Sequence, residues 1–154
     1  MTPIVLARQF PDPANDTDPQ RAAPLRVLLA EDNDTMRRLL GFVLRSDGHA
    51  IVEARDGAEL LEKLAASLTA GPEEAMDAIV SEQSLPGLEG LTILAGLRAR
   101  GLATPFVLIT ADPEVQVRAR RLGGVVLDQP FNTRAIRDAV TEASAESTKA
   151  SGSL

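Results

Sequence analysis

Five short runs rich in apolar residues, Leu25 to Ala30, Ala50 to Ala54, Ile79 to Glu82, Phe106 to Ile109 and Val125 to Leu127, are separated by longer stretches of a different pattern. In those stretches apolar residues return every three or four positions. The short dense runs suit strands covered on both faces, and the longer pattern suits helices with one buried side. A first helix carries Met36, Leu39, Leu40, Val43 and Leu44 as its buried face, capped by Asn33 or Asp34 and closed by Asp47 and Gly48. A second opens at Gly57, carries Leu60, Leu61, Leu64 and Leu68, and stops at the breaker Thr69 to Pro72. A third follows Gly90 with Leu91, Leu94, Ala95 and Leu97 and ends near Gly101. Asp112 and Pro113 form the N-cap and first position of a short fourth, which Gly123 and Gly124 stop. Asn132 caps a fifth that bears Ile136, Ala139 and Val140.

Strands alternating with helices predict an α/β fold, a five-stranded parallel sheet wound on both faces. Two of the strands end in acid: Glu31 and Asp32 follow the first at once, and Glu82 ends the third, ahead of a Pro86-Gly87 turn. In an open sheet of this kind ligands bind at the carboxyl ends of strands, where the strand order reverses. With strand order 2-1-3-4-5 that point lies between the first and third strands, and Glu31, Asp32 and Glu82 meet in one acidic crevice.

Composition narrows the picture. A chain of 154 residues with 44% hydrophobic content holds one core, predicted over 25–143. Phe10 to Pro24 contains four of the ten prolines among Asp, Asn and Gln, so 1–24 reads as a mobile tail, and small polar residues make 144–154 a second disordered one. Within the first tail, the apolar Pro3 to Phe10 is either a docking peptide or a frayed terminus. The absence of cysteine excludes disulfides, zinc thiolates and thiol catalysis. A net charge of -6 argues against general binding to nucleic acid or an anionic membrane. With no leader and no long apolar run, a soluble cytoplasmic protein is expected. His49, the single histidine, reads as a structural surface residue, because no nucleophile or second ligand lies near it in sequence. No nucleophile and base pair is visible, so an enzyme is not expected.

Several short motifs, in order, carry a resemblance. They are Val27 to Asp32 with Met36-Arg37-Arg38, Ala54 to Gly57, Leu85-Pro86-Gly87 with Gly90, Ile109-Thr110-Ala111, and Pro130-Phe131. Together they resemble a response-regulator receiver domain, of flavodoxin-like fold, from about Arg26 to Ala143. The resemblance implies a module of bacterial two-component signalling that takes a phosphoryl group from a histidine kinase onto an aspartate ending the third strand. It further implies Mg²⁺ on the acidic pair, here Glu31 and Asp32, with Glu82 as the third ligand. A hydroxyl and a lysine contact the phosphoryl oxygens in the family, and an aromatic in the fifth strand reports the switch. The hydroxyl matches Thr110, and a cis peptide before Pro130 is implied as well.

Three positions depart from that pattern. The acceptor position is Glu82, the lysine position is Gln129, and the aromatic position is Val126. The extra methylene of a glutamate moves its carboxylate by about one bond's length, a large error for in-line transfer. Without the lysine, three carboxylates must bind a cation, take up a proton or borrow an arginine. Mg²⁺ suits the hard oxygen donors, and the alternative is a cation-free site in which Gln129 donates to Glu82. Val126 leaves no ring to rotate, which fits a permanently set conformation.

The expected function is therefore a phosphorylation-independent pseudo-receiver acting by protein contact. Its partner would be a kinase, a phosphotransferase or a downstream effector, or a second copy in a homodimer, met through the fourth helix, fifth strand and fifth helix. No output domain is expected after Ala143, since the remaining tail is too short for one. The fourth helix is short for the family by about one turn, which remodels that surface. Two alternatives stand beside this reading. One is a working receiver that uses Glu82, Ser81 or Ser84 as acceptor. The other is a cyclic-dinucleotide sensor using Arg118 and Arg121, with Arg120 beside them and Arg98 and Arg100 ending the third helix. The plain reading of those arginines is a solvated face with cations near helix C-termini. The long Leu68 to Met76 connection reads as a surface excursion on the side away from the crevice.

Overall fold

The computed structural model describes residues 23–152, and side chains are described up to 145. Its strands are β1 (Arg26–Ala30), β2 (Ala50–Ala54), β3 (Ala78–Glu82), β4 (Phe106–Ile109) and β5 (Val125–Leu127). Its helices are α1 (Asp34–Ser46), α2 (Gly57–Thr69), α3 (Gly90–Ala99), α4 (Pro113–Arg121) and α5 (Thr133–Gly152), with a short 3-10 turn at Pro72–Glu74. All strands pair in parallel in the order β2-β1-β3-β4-β5.

Alternation along the strands sorts the core into two layers. Val27, Leu29, Val80, Val107 and Ile109 face α1 and α5, meeting Leu40, Leu44, Ile136 and Val140. Leu28, Ala30, Ile79, Phe106 and Leu108 face the other way, onto Leu60, Leu64, Leu94 and Leu97 of α2 and α3 and Ala119 of α4. Both faces of the three inner strands are thus covered, which is why their sequences read as continuous apolar runs.

Helix starts follow the expected chemistry. Asn33 Oδ1 accepts the Met36 N–H at 2.8 Å, Asp56 Oδ1 that of Glu59 at 2.8 Å, Asp112 Oδ1 that of Glu114 at 3.0 Å and Asn132 Oδ1 that of Ala135 at 2.8 Å. At the end of α1, Gly48 takes φ of 93°, a left-handed turn that a side chain resists.

Four expectations are corrected. Leu39 (47% exposed), Leu61 (43%) and Leu68 (56%) do not join the buried faces assigned to them. At 100° per residue, the buried arc of α1 centres near Leu40 and Leu44 and takes in Arg37 and Gly41, which turns Leu39 outward. That of α2 centres on Leu60 and Leu64, with Leu61 and Leu68 at its margin. His49 is buried rather than at the surface, its Nδ1 accepting the Leu25 N–H at 3.0 Å. Residues from Ser144 onward do not begin a tail: α5 continues through them to Gly152. Most of the first expected tail, residues 1–22, lies outside the described residues. No described helix is long and apolar enough to cross a membrane.

Candidate functional site

Strand register builds the acidic crevice. Ala30 of β1 lies opposite Ser81 of β3, so the next residues, Glu31 and Glu82, stand side by side at the same edge. Carboxylate oxygens of Glu31, Asp32 and Glu82 lie within 4.8 Å of one another. Glu31 is buried, Glu82 half-buried and Asp32 exposed, so the cluster opens to solvent on one side. Glu82 Oε2 is itself buried and has no hydrogen-bond partner. An orphaned buried oxygen in a cluster of hard oxygen donors fits a small divalent cation or a proton.

Electrostatics push the same way. Burial, then the Asp32 and Glu31 carboxylates beside it, raise the Glu82 pKa from 4.5 to about 8. Glu31 is also raised, chiefly by burial, against hydrogen bonds from Glu82 and the Asn33 backbone that pull it down. A protonated Glu82 donating to its neighbours is the arrangement consistent with both directions.

Two residues to which the sequence reading gave no role at the site hold this geometry. Arg37, buried in α1, donates to the Glu31 carbonyl at 2.9 Å, to Glu53 at 3.2 Å and to Asp34 at 2.6 Å. It ties the acidic loop to α1 and β2, and the signals for it were its place in the Met36-Arg37-Arg38 motif and an arginine inside an apolar helix face. Gln83, next after Glu82, locks the strand end to α3. Its N–H donates to the Ile109 carbonyl at 3.0 Å, its carbonyl accepts the Gly90 N–H at 3.0 Å, and its side chain accepts the Leu91 N–H at 2.8 Å. Gly90 permits that closeness, because a Cβ there would sit 2.8 Å from the Glu82 carbonyl and 2.7 Å from Leu108.

Some of the remaining predicted residues lie at the same edge of the sheet, and others lie away from it. Thr110, the residue after β4, is buried, and its hydroxyl accepts the Asp112 N–H at 3.1 Å. Gln129 is exposed, ahead of a cis peptide to Pro130 as expected, and Glu82 Oε2 stays unpartnered, so Gln129 does not supply the hydrogen bond considered for that oxygen. Val126 is partly buried against the α3 layer and edges a cleft of about 310 Å³ with Arg120, Gly123, Gly124 and Glu142. Ser81 is fully buried and donates to the Glu82 carbonyl at 2.9 Å, whereas Ser84 is exposed. Arg118, Arg120 and Arg121 are exposed toward the end of α4, at the opposite edge of the sheet from the carboxylates. Arg98 turns inward instead, donating to the carbonyls of Leu122 (2.6 Å), Leu102 (2.8 Å) and Thr104 (2.9 Å).

Acidic side chains gathered at the switch point of a 2-1-3-4-5 sheet define a doubly wound parallel-sheet domain with a carboxylate site at its carboxyl edge. It belongs to the response regulator receiver domain family, whose model matches residues 27–141. Such domains are the receiving modules of two-component systems and interact with kinases and effectors. The transcriptional regulatory protein TcrA of Mycobacterium tuberculosis is 32% identical over 115 residues, covering 73% of this chain and 43% of TcrA. The transcriptional regulatory protein FixJ of Azorhizobium caulinodans is 33% identical over 119 residues, covering 75% of this chain and 53% of FixJ. The chain thus spans about half of these relatives or less. Among solved structures, full-length FixJ from B. japonicum aligns with a TM-score of 0.71 at 24% identity, over 86% of this chain and 63% of that one. The chemotaxis protein CheY4 of Vibrio cholerae aligns with a TM-score of 0.65 at 24% identity, over 79% and 99%. These two bear on the fold alone.

Proposed function

We propose that this receiver domain works without ordinary phosphoryl acceptance, its site held in one state by the Glu82 carboxyl, and that its output is a protein contact. The observation that carries this is the buried, unpartnered Oε2 of Glu82 at the acceptor position. A nucleophilic carboxylate needs its charge, and a group held above its usual range toward a pKa of about 8 is mostly protonated at neutral pH. The exposed amide of Gln129 supplies no cation for a phosphoryl group. Ser81, buried and engaged with the Glu82 carbonyl, is a poor substitute acceptor.

Glu31, Asp32 and Glu82 would hold Mg²⁺ when it binds, and the ion would neutralise the cluster in place of the proton. The partner, a kinase, a phosphotransferase, a downstream effector or a second copy, would meet the face of α4, β5 and α5, where Val126 leaves a cleft in place of an aromatic ring. The test is intact-protein mass after incubation with acetyl phosphate and Mg²⁺, comparing the wild type with the double variant Glu82→Asp, Gln129→Lys. The wild type should stay unmodified while the variant gains one phosphoryl group. A phosphoryl gain by the wild type would make this a working receiver and sink the proposal.

A further inference from the structure

Helices α2 and α3 leave between them an apolar groove of about 410 Å³, on the side of the sheet opposite α1 and α5. Leu61, Leu64 and Leu68 form one wall, Ile93 and Leu97 the other, and Leu102 lies at one end. Leu61 and Leu68 are two of the five exposed large apolar side chains among the described residues. Gly96 widens the groove, with nothing within 4 Å of where its Cβ would be. This surface takes no part in the acidic crevice and lies apart from the face of α4, β5 and α5.

We propose that the groove is a docking site for the chain's own segment Ile4 to Phe10. Three observations select that occupant. The first is chemistry: Ile4, Val5, Leu6, Ala7 and Phe10 concentrate apolar side chains ahead of a tether rich in Pro and Asp. The second is reach. Leu68 is in the last turn of α2 and Leu102 follows α3, so that end of the groove lies at the edge where the strands begin. The chain enters the sheet at the same edge, where the Arg26 N–H donates to Asp77 Oδ2 at 2.8 Å just ahead of β3. Residues 11–24 can span about 46 Å at ~3.3 Å each, against about 20 Å for the length of α2. Tethering of this kind gives an effective concentration on the order of millimolar, so a weak contact suffices. The third is charge. Asp12, Asp16 and Asp18 of the tether would pass Arg100, which is exposed at that end of the groove.

Because the chain has no cysteine, Thr2→Cys gives a single thiol for a nitroxide spin label on the full-length protein. With the label in place, the amide signals of Leu61, Leu68, Thr92 and Gly96 should lose most of their intensity. The double substitution Leu61→Lys, Leu68→Lys alters exposed positions only and should restore those signals while the sheet amides stay unshifted. Broadening that is spread evenly, that centres on Leu39 and Phe42, or that survives the double substitution would overturn the proposal. So would groove broadening in a mixture of labelled chain with isotope-enriched unlabelled chain, since the occupant would then be a second copy.

Discussion

Glu82 should make this domain less stable as pH rises, the reverse of an ordinary carboxylate. Its pKa is 4.5 when unperturbed and about 8 in the folded chain. Between those values the folded chain keeps a proton that the unfolded chain has released, so stability falls with rising pH across that window. The contribution is fully present below about pH 4.5 and gone above about pH 8. At 1.36 kcal/mol per pH unit the unscreened ceiling is just under about 5 kcal/mol. The crevice opens to solvent at Asp32, and screening brings the expected loss down to about 1–2 kcal/mol. The raised pKa of Glu31 adds in the same direction. The perturbation is Glu82→Gln, which keeps the shape and removes the titration. Urea unfolding from pH 5.5 to 8.5 in the presence of a chelator is the assay. The difference between wild type and variant should shift by about 1–2 kcal/mol in favour of the variant as pH rises. A difference that stays flat, or moves the other way, would refute the reasoning.

Other substitutions test the scaffold around the site. Gly90→Ala should cost about 1–3 kcal/mol in thermal unfolding, since its Cβ would press on the Leu108 side chain, the Glu82 carbonyl and the buried Ser81 hydroxyl. Arg98→Met should cost about 2–3 kcal/mol in urea unfolding by leaving the carbonyls of Leu122, Leu102 and Thr104 without their donor, and amide exchange should quicken around Gly123. His49→Ala should cost about 1–3 kcal/mol by stripping the Leu25 N–H of its acceptor, with faster exchange at that amide as its signature. Mg²⁺ added at pH 8.5 at ten times its Kd should raise wild-type stability by about 1.4 kcal/mol and Glu82→Gln by less.

Strand runs and caps were legible because their signals are local. A dense apolar run bounded by Gly, Pro or Asp permits few readings, and Asn33, Asp112 and Asn132 cap as their types suggest. Helix rotation was less legible, since periodicity alone does not say where the arc is centred. Leu39 obeyed the spacing, yet Arg37 took the inward place because Glu53 and the Glu31 carbonyl were there to receive it. The same limit hid Arg98 among the surface arginines: its direction depends on three carbonyls beyond its own helix, those of Leu102 and Thr104 just after it and that of Leu122 at the end of α4. His49 was misplaced for a like reason, its partner being the Leu25 amide 24 residues earlier.

The site shows how far residue types alone can carry an argument. Three carboxylates without a lysine leave three exits: a cation, a proton or a borrowed arginine. Arg37, the basic residue tied to the acidic loop, bonds the Glu31 carbonyl, Glu53 and Asp34 rather than the three carboxylates, and its charge only partly offsets the burial that raises Glu31, so the third exit is taken weakly. Gln129 is exposed and leaves Glu82 Oε2 bare, so a neutral hydrogen bond does not substitute for any of them. Proton and cation remain, and they compete for the same oxygens. A group whose pKa is about 8 must give up its proton before it can serve as a full ligand, so under the proposed reading Mg²⁺ should bind more tightly as pH rises toward that value. An aspartate at this position, with a lysine in reach, would carry its charge without that contest. Under the proposed reading the added methylene at Glu82 and the uncharged Gln129 therefore act together, setting a contest between proton and cation in place of a carboxylate that carries its charge freely.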